Sequence, residues 1–233
     1  MIPLLLVGAG GFARETADAV RAVNEAGATF ELLGFVDDDP ARQGTAVAGL
    51  PVLGPVSVAA ERPDCQLVIC TGSPTDYTSR RRLVHRLGLP PDRYATVVHP
   101  AASVPASAAL GRGTVVLAMA VLTTGLRVGA HVAIMPGVVL THDDVIDDYA
   151  TFGAGAMLAG GVHVGEGAYV GSGALVREQH TVGKWSLLGM GAVLTTDLPP
   201  GEVWAGVPAR KLRRADVPAE LLVTAAAGSP AAT

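Results

Sequence analysis

From Val98 onward, every sixth position of the chain carries a large apolar side chain. The series runs without interruption to Leu194, although hydrophobic residues make up only 49% of the chain. A repeat with this period predicts a parallel β-helix, in which each unit forms one short strand and one corner. The series consists of Val98, Val104, Leu110, Val116, Leu122, Val128, Ile134, Leu140, Ile146, Phe152, Leu158, Val164, Val170, Val176, Val182, Leu188 and Leu194.

The residues around each apolar position fit the same architecture. The position directly after it is often glycine, and the position four after it is usually small. In a triangular prism the apolar side chain fills the interior, the small residue lets the corner close, and glycine relieves backbone strain. Three units make one coil, and roughly five coils fit between residues 98 and 194 at a spacing of about 4.8 Å. No long insertion interrupts the repeat, so we expect no projecting loop.

The first part of the chain follows a different pattern, in which apolar runs alternate with amphipathic ones. The apolar runs predict buried strands, and the amphipathic runs predict helices that end at glycine. Strands that alternate with helices indicate a small parallel sheet. The predicted strands are 3–8, 31–36, 66–70 and 94–98, and the predicted helices are 13–27 and 75–88, the latter with Thr75 as its N-cap.

These two patterns divide the chain. We expect a small Rossmann-like α/β domain over residues 1–97 and an all-β parallel β-helix over residues 98–214. Residues 215–233 form an alanine-rich tail without a recognisable motif, which we expect to be mobile at its end.

Composition narrows the class of protein. Charged residues make up 16% of the chain and the mean hydropathy is +0.40, which is too apolar for a disordered chain. No apolar run approaches the roughly 20 residues of a membrane span, and the apolar start leads into a glycine loop rather than a cleavage site. A net charge of −4 gives no basic footprint for nucleic acid. Cys65 and Cys70 are predicted to lie on opposite faces of a strand, as unpaired thiols in a reducing cytoplasm.

A glycine loop follows the first predicted strand and opens the first predicted helix. Residues 8–13, G-A-G-G-F-A, satisfy the pattern G-x-G-x-x-A, and Asp37 ends the second predicted strand. Taken alone, this is the fingerprint of a dinucleotide site and suggests NAD. More generally, glycines at a helix N-terminus bind an anion such as a phosphate. Against NAD, the α/β part is small and the β-helix would have no role.

The stretch L-T-H-D-D-V-I-D-D, residues 140–148, concentrates polar chemistry in an apolar region. His142 stands two places after an interior position, so it points away from the core, and a neutral histidine is a suitable general base. Asp143 could hold its ring, whereas Asp144 occupies a small inward position for which the sequence offers no explanation. The histidines of the repeat, His131, His142, His163 and His180, do not share one face, so we expect no metal.

Several motifs together resemble a known family. V-G-A-G-G-F-A-R-E, G-F-V-D-D-D-P, G-L-P-V-L-G, V-V-H-P-A-A and the final A-G-V-P-A-R-K-L are similar to those of bacterial sugar acetyltransferases of the NeuD/PglD type, over about residues 3 to 213. These enzymes are sialic-acid O-acetyltransferases and UDP-4-amino-sugar N-acetyltransferases. The resemblance implies a left-handed β-helix, a homotrimer, acetyl-CoA bound between neighbouring β-helices, and a nucleotide-linked sugar on the N-terminal domain.

The resemblance also implies roles for individual residues. His142 corresponds to the general base and Asp143 to its orienting carboxylate, while the Gly160 amide, one coil along, faces the thioester carbonyl. The residues expected to contact acetyl-CoA are Gly160, Gly173, Ala174, Lys184, Ala192, Arg210 and Lys211, and for the three basic residues a solvated surface position is the alternative. Those implied to bind a UDP- or dTDP-sugar are Gly8, Gly10, Gly11, Phe12, Asp37 and Asp38, with Thr151 in the place where several relatives carry a second histidine near the acceptor.

The sequence therefore predicts direct transfer of an acetyl group from acetyl-CoA to a sugar amine or hydroxyl. It leaves open the choice between N- and O-acetylation, the sugar, the nucleotide and the length of the acyl group. Two other classes stay open: a catalytically inactive or NAD-binding assembly protein, and a carbonic-anhydrase-like metalloenzyme.

Overall fold

A computed structural model describes residues 1–222, and its N-terminal part is a small parallel sheet with two helices. The elements are β1 (Ile2–Val7), α1 (Gly11–Ala26), β2 (Phe30–Val36), β3 (Ala46–Val47), β4 (Leu50–Pro51), β5 (Gln66–Ile69) and α2 (Ser79–Leu87). The sheet has the order β2-β1-β5, with helices α1 and α2 against it, and β3 and β4 form a short antiparallel hairpin.

Two details of the N-terminal prediction were wrong. The segment 94–98 is not a fourth strand of this sheet: Tyr94 makes a single bridge to Leu67, and Val97–Val98 pairs with the β-helix instead. The second helix begins at Ser79 rather than after Thr75, because residues 73–76 form a separate turn closed by the Ser73 and Asp76 backbones. The predicted stop at Gly88 is confirmed, with a left-handed φ of 58°.

The two cysteines lie in separate halves of the N-terminal core. Cys65 packs on one side of the sheet and Cys70 on the other, and both are buried, free thiols. The prediction that they point to opposite faces is confirmed. Burial raises the pKa of the Cys70 thiol to about 12, so this group is not a nucleophile at neutral pH.

The second part is a parallel β-helix, as predicted. Its strands are β6 (Val97–Val98), β7 (Ala109–Leu110), β8 (Val115–Val116), β9 (Val121–Leu122), β10 (Arg127–Val128), β11 (Ala133–Ile134), β12 (Val139–Leu140), β13 (Val145–Ile146), β14 (Thr151–Phe152), β15 (Met157–Leu158), β16 (His163–Val164), β17 (Tyr169–Val170), β18 (Leu175–Val176), β19 (Thr181–Val182), β20 (Leu187–Leu188) and β21 (Val193–Leu194). They form three flat faces: face 1 contains β7, β10, β13, β16 and β19, face 2 contains β6, β8, β11, β14, β17 and β20, and face 3 contains β9, β12, β15, β18 and β21.

The repeating apolar residues fill the interior of the prism. All of them from Val116 to Leu194 are buried, whereas Val98, Val104 and Leu110 are partly exposed because they lie at the open first turn. From Gly113 to Gly191, each corner turns through a residue with positive φ, three places after the apolar position. Those residues define an aromatic corner between faces 1 and 2 (Gly113, His131, Tyr149, Gly167, Trp185), a glycine corner between faces 2 and 3 (Met119, Gly137, Gly155, Gly173, Gly191) and a histidine corner between faces 3 and 1 (Gly125, Asp143, Gly161, Gln179).

The aromatic corner is where the N-terminal domain docks. Arg80 of α2 is 2% exposed and donates hydrogen bonds to the backbone carbonyls of His131 at 3.0 Å and Tyr149 at 2.8 Å. The two aromatic rings stack on each other with centroids 5.3 Å apart. Tyr77 donates its hydroxyl to the Trp185 carbonyl at 3.1 Å. These contacts fix the N-terminal domain against the side of the β-helix.

The C-terminal segment closes the last turn. Strands β22 (Glu202–Ala205) and β23 (Arg210–Arg214) extend face 2, and the short helix α3 (Ala219–Leu222) follows. Leu221 of α3 is buried in a cluster with Trp185, so the first part of the predicted tail is packed. The rest, residues 223–233, lies outside the described residues. No helix within residues 1–222 is long and apolar enough to cross a membrane.

Candidate active site

The histidine corner holds a paired imidazole and carboxylate. The Nδ1 atom of His142 lies 2.9 Å from Oδ2 of Asp143, and their side chains are 64% and 73% exposed. Asp143 has a φ of 63°, a left-handed conformation that aspartate tolerates better than most residues. If Nδ1 donates to the carboxylate, Nε2 carries the lone pair and can accept a proton.

Two glycines of the neighbouring turns make room for this pair. A Cβ atom on Gly160, in the turn after, would lie 2.3 Å from both Cε1 and Nε2 of His142, so the ring lies directly across that glycine. A Cβ atom on Gly125, in the turn before, would lie 2.6 Å from Oδ1 of Asp143. The positions of both side chains therefore depend on the absence of side chains above and below them.

The Gly160 N–H lies at the same corner without a hydrogen-bond partner in the described chain. Its carbonyl accepts from Gln179 at 3.0 Å. The next amide, Gly161, donates to the His142 carbonyl at 2.9 Å and is occupied. A free backbone N–H can stabilise a developing oxyanion when it faces the reacting carbonyl.

Asp144 is fully buried beneath this corner. Its two oxygens accept hydrogen bonds from the Thr141 N–H at 2.8 Å and the Val162 N–H at 2.9 Å. Burial raises the pKa of its carboxyl to about 6, and the two N–H donors oppose this shift. The inward carboxylate that the sequence left unexplained thus takes the place of missing backbone acceptors.

A cavity of about 440 Å³ lies on the N-terminal domain at the carboxyl end of its parallel strands, the usual position of a ligand in such sheets. Six of the predicted substrate residues line it, namely Gly8, Gly10, Gly11, Phe12, Asp37 and Asp38. All of its lining residues lie between 8 and 86, so the cavity includes no residue of the β-helix.

The two predicted aspartates form hydrogen bonds with other groups that line this cavity. Oδ2 of Asp37 accepts the Ala9 N–H of the glycine loop at 2.8 Å. Asp38 accepts the Val56 N–H at 3.0 Å and pairs with Arg86 at 2.5 Å. Burial raises the pKa of Asp38, but the hydrogen bonds from Arg86 and Val56 outweigh it, so the pKa lies below its ordinary value.

Three arginines of the cavity were missed by the sequence analysis. Arg42 donates to the Ala9 carbonyl at 2.6 Å, and Arg82 binds Asp76 at 2.7 Å and lowers its pKa. Arg82 and Arg86 are four residues apart on α2, a spacing that puts both on one helix face, and this spacing was visible in the sequence. A cavity with a glycine loop and several guanidinium groups suits an anionic ligand.

Thr151 lies away from both sites. It is 7% exposed on β14, and its hydroxyl accepts a hydrogen bond from Arg80 at 2.5 Å. Its side chain is part of the junction between the domains, so this arrangement gives no support to a contact with the acceptor sugar.

The residues predicted to bind acetyl-CoA are spread over the β-helix. Ala174 and Ala192 are fully buried, so their side chains face the core rather than a groove. Gly173 lies at the glycine corner with open space beside it, and Lys184 precedes Trp185 at the aromatic corner. Arg210 and Lys211 are exposed on β23, where Lys211 pairs with Glu202.

Face 3 presents an apolar stripe between the glycine corner and the histidine corner. Val121, Met157 and Leu175 are 37%, 46% and 42% exposed, and Val139 and Val193 lie between and beyond them on adjacent strands. We call these five residues the face 3 stripe. Within the described residues, 1–222, no group of three or more His, Cys, Asp or Glu side chains could hold a metal ion.

Comparisons with known proteins identify the family to which the chain belongs. The family model of the PglD N-terminal domain matches residues 3–87. The acetyltransferase domain of PglB from Neisseria gonorrhoeae FA1090, solved with acetyl coenzyme A, is 30% identical over 91% of this chain and 99% of its own, with a TM-score of 0.80. No curated protein sequence matches.

Two further structures are similar over nearly their full length. PerB from Caulobacter crescentus, in complex with CoA and GDP-perosamine, is 30% identical over 90% of this chain and 97% of its own, with a TM-score of 0.79. WeeI from Acinetobacter baumannii AYE is 27% identical over 91% of this chain and 100% of its own, with a TM-score of 0.77. The chain therefore belongs to the PglD-like sugar acetyltransferases and is an acyltransferase.

Proposed function

We propose that the protein transfers an acetyl group from acetyl-CoA directly to an amino or hydroxyl group of a nucleotide-linked sugar. The observation that carries this proposal is the histidine corner, where the His142 ring is held by Asp143 and lies across Gly160. A base with one free nitrogen and a free backbone N–H in the next turn are the two groups that acyl transfer requires.

In this mechanism His142 removes the proton from the acceptor as its amine or hydroxyl attacks the thioester carbonyl. Asp143 stabilises the imidazolium that forms and fixes the ring tautomer. The Gly160 N–H donates to the oxyanion of the tetrahedral intermediate, a contribution of about 3 kcal/mol for a well-placed donor. The imidazolium then returns its proton to the departing CoA thiolate. Neither cysteine takes part, because both are buried in the N-terminal domain.

The N-terminal cavity is our proposed site for the nucleotide part of the acceptor. The glycine loop and the start of α1 would hold a diphosphate, and the carboxylates of Asp37 and Asp38 would face the ribose or base. PerB, which has this fold, is bound to GDP-perosamine. We therefore extend the expected nucleotide of the acceptor from UDP and dTDP to GDP.

Acetyl-CoA is the proposed donor, as suggested by the PglB domain solved with acetyl coenzyme A. The open side of Gly173 would admit a pantetheine arm, and Lys184, Arg210 and Lys211 are the proposed cations for its phosphates. The proposed division of the chain follows from these roles: nucleotide-sugar binding in 1–97 and donor binding with catalysis in 98–214. We also propose that the enzyme is cytoplasmic, where acetyl-CoA is present.

We propose a homotrimer, for two physical reasons. The His142–Asp143 pair is largely exposed in one chain, whereas acyl transfer needs water excluded from the thioester. The face 3 stripe ends at the same corner and would be covered if a second chain packed there. The substitution Leu175→Glu should therefore convert a trimer into monomers in a measurement of molar mass by light scattering. A wild-type monomer would contradict the proposal.

The test of the function is a comparison of two histidine variants. His142→Ala should lower kcat for acetyl transfer by at least about 100-fold, measured as CoA release with a panel of GDP-, UDP- and dTDP-linked amino sugars and deoxysugars. The matched control is His163→Ala, because His163 also pairs with an aspartate, Asp147, at 3.0 Å, but lies on strand β16 of face 1 and not at the corner position itself. If His142→Ala keeps full activity, or both variants lose it equally, the base assignment is wrong.

A further inference from the structure

One pair of neighbouring strands in the β-helix is joined less completely than the others. Between β6 and β22, each pair of adjacent parallel strands in the described chain has two residues in register, except β12 and β15, which have one. The missing partners are Leu140 and Leu158, which stand two residues before His142 and Gly160. The hydrogen-bonded ladder between the strands of face 3 is therefore interrupted next to the proposed base and the proposed oxyanion donor.

The Asp144 carboxylate occupies this interruption. In the preceding turn, the residue after the strand donates its N–H to the next turn, from Thr123 to Leu140 at 3.0 Å. At the equivalent place, the Thr141 N–H donates instead to Oδ2 of Asp144 at 2.8 Å. The other oxygen of Asp144 accepts the Val162 N–H of the following turn at 2.9 Å.

We propose that Asp144 is a positioning residue, which joins the turn that carries His142 to the turn that carries Gly160 and so sets the spacing of base and oxyanion donor. The inference rests on the proposed function of that corner. One oxygen binds the residue directly before His142, and the other binds the residue two places after Gly160. Loss of the carboxylate would free both turns at the point where the ladder no longer holds them.

The packing of this column does not by itself require a polar side chain at this place. The equivalent residues one turn before and one turn after are Leu126 and Val162, both buried, so the column accepts apolar side chains. A fully buried carboxyl group costs free energy even when it is hydrogen-bonded, and burial raises the pKa of Asp144. An apolar residue would pack here without that cost, and it would leave the two amides without acceptors.

The experiment compares two substitutions of Asp144. In Asp144→Val, kcat should fall by about 30-fold or more while KM for both substrates stays within about 3-fold, because a displaced base slows chemistry rather than binding. Asp144→Asn keeps one acceptor oxygen, so its kcat should lie between that of Asp144→Val and that of the wild-type enzyme. If Asp144→Val does not fold, the test rests on Asp144→Asn: a kcat below that of the wild-type enzyme supports the proposal, and an unchanged kcat overturns it.

The matched control is Thr114→Val. Thr114 is also fully buried at an inward corner position, and its hydroxyl bridges the Gly129 carbonyl at 2.9 Å and the Val132 N–H at 3.1 Å, at the aromatic corner. This control should lower the thermal midpoint and leave kcat within about 2-fold, because a lost hydrogen bond costs stability without moving His142.

Amide hydrogen exchange provides a readout that does not depend on activity. In Asp144→Val, peptides containing Thr141 and Val162 should exchange faster than in the wild-type protein, and peptides at the aromatic corner should not. The proposal is overturned if Asp144→Val retains kcat, or if exchange at these amides is unchanged. A wild-type protein that acetylates none of the acceptors overturns the proposed function and this role with it, whatever the exchange shows.

Discussion

The contact between His142 and Gly160 allows a sharp test of how the base is positioned. The substitution Gly160→Ala adds one methyl group at a point that would lie 2.3 Å from Cε1 and Nε2 of the ring. The backbone tolerates alanine here, because Gly160 does not have a positive φ and Ala154 occupies the equivalent place one unit earlier. The methyl group therefore acts on the histidine and not on the fold of the corner.

The size of the effect follows from this geometry. Two carbon atoms in contact are separated by about 3.5 Å or more, so the ring must move by more than about 1 Å. A displacement of that size in a catalytic group costs about 100-fold in rate, which corresponds to about 2.7 kcal/mol of transition-state stabilisation. We expect kcat to fall by about this factor and KM to change little.

The assay is steady-state acetyl transfer in a double-mutant cycle. Gly160→Ala is measured in the wild-type background and in a His142→Ala background, where the ring is absent and the methyl group has no clash. The substitution should be costly in the first background and nearly neutral in the second, both in rate and in thermal midpoint. Ala154→Gly, the reverse exchange at the equivalent place, controls for a general effect on corner stability.

Additive effects in the cycle would refute this reasoning. If Gly160→Ala slows the reaction equally with and without the histidine, the glycine acts through its own N–H or backbone and not by making room for the ring. If it leaves kcat unchanged in the wild-type background, the ring does not lie across Gly160 during catalysis.

Three further outcomes are expected. The pKa of Asp144 is raised from 3.8 to about 6, so proton binding to this carboxyl stabilises the fold. Relative to Asp144→Val, the wild-type free energy of unfolding should fall by about 2 kcal/mol between about pH 4 and about pH 7. Arg80→Met removes donors from buried carbonyls and should lower the free energy of urea unfolding by about 3 kcal/mol. Gly167→Ala puts a methyl group 2.1 Å from the buried Trp185 ring at a φ of 63° and should cost about 3 kcal/mol in the same measurement.

Matched controls separate these effects from general damage. Arg81→Met removes a surface ion pair to Glu166 beside Arg80 and should cost at most about 1 kcal/mol. Gly155→Ala has a similar φ of 68° but open space around it, so it should show only the strain of about 1 to 2 kcal/mol. A flat pH dependence relative to Asp144→Val, or controls as damaging as the test variants, would contradict the respective prediction.

The β-helix was predictable because its periodicity is unbroken. Each apolar position from Val116 to Leu194 is buried as expected, since a six-residue period leaves no other face for these side chains. The left-handed corner position was also visible, as a glycine three places after many apolar residues. The sequence analysis nevertheless did not identify this corner position, because His131, Tyr149 and Trp185 also occupy it and such bulky residues do not suggest positive φ.

The parts that could not be predicted depend on contacts between distant segments. Nothing in the sequence near Arg80 indicates that it will be buried against carbonyls of the β-helix. Likewise, the segment 94–98 has the composition of a strand, but its pairing partner is determined by the first turn of the β-helix. The interruption of the ladder at Leu140 is a third case, because the sequence shows the inward Asp144 but not which backbone donors it meets.

The arrangement of the corners in columns has a consequence for how such a chain can change in length. Each column repeats every three units, so removal of one whole turn would leave every later residue on its original corner. Removal of a single six-residue unit would instead rotate all later corners by a third of a revolution and bring the aromatic column into line with the histidine column. Natural and engineered changes of length should therefore occur as whole turns, and the unit of permissible growth in this protein is the turn rather than the repeat.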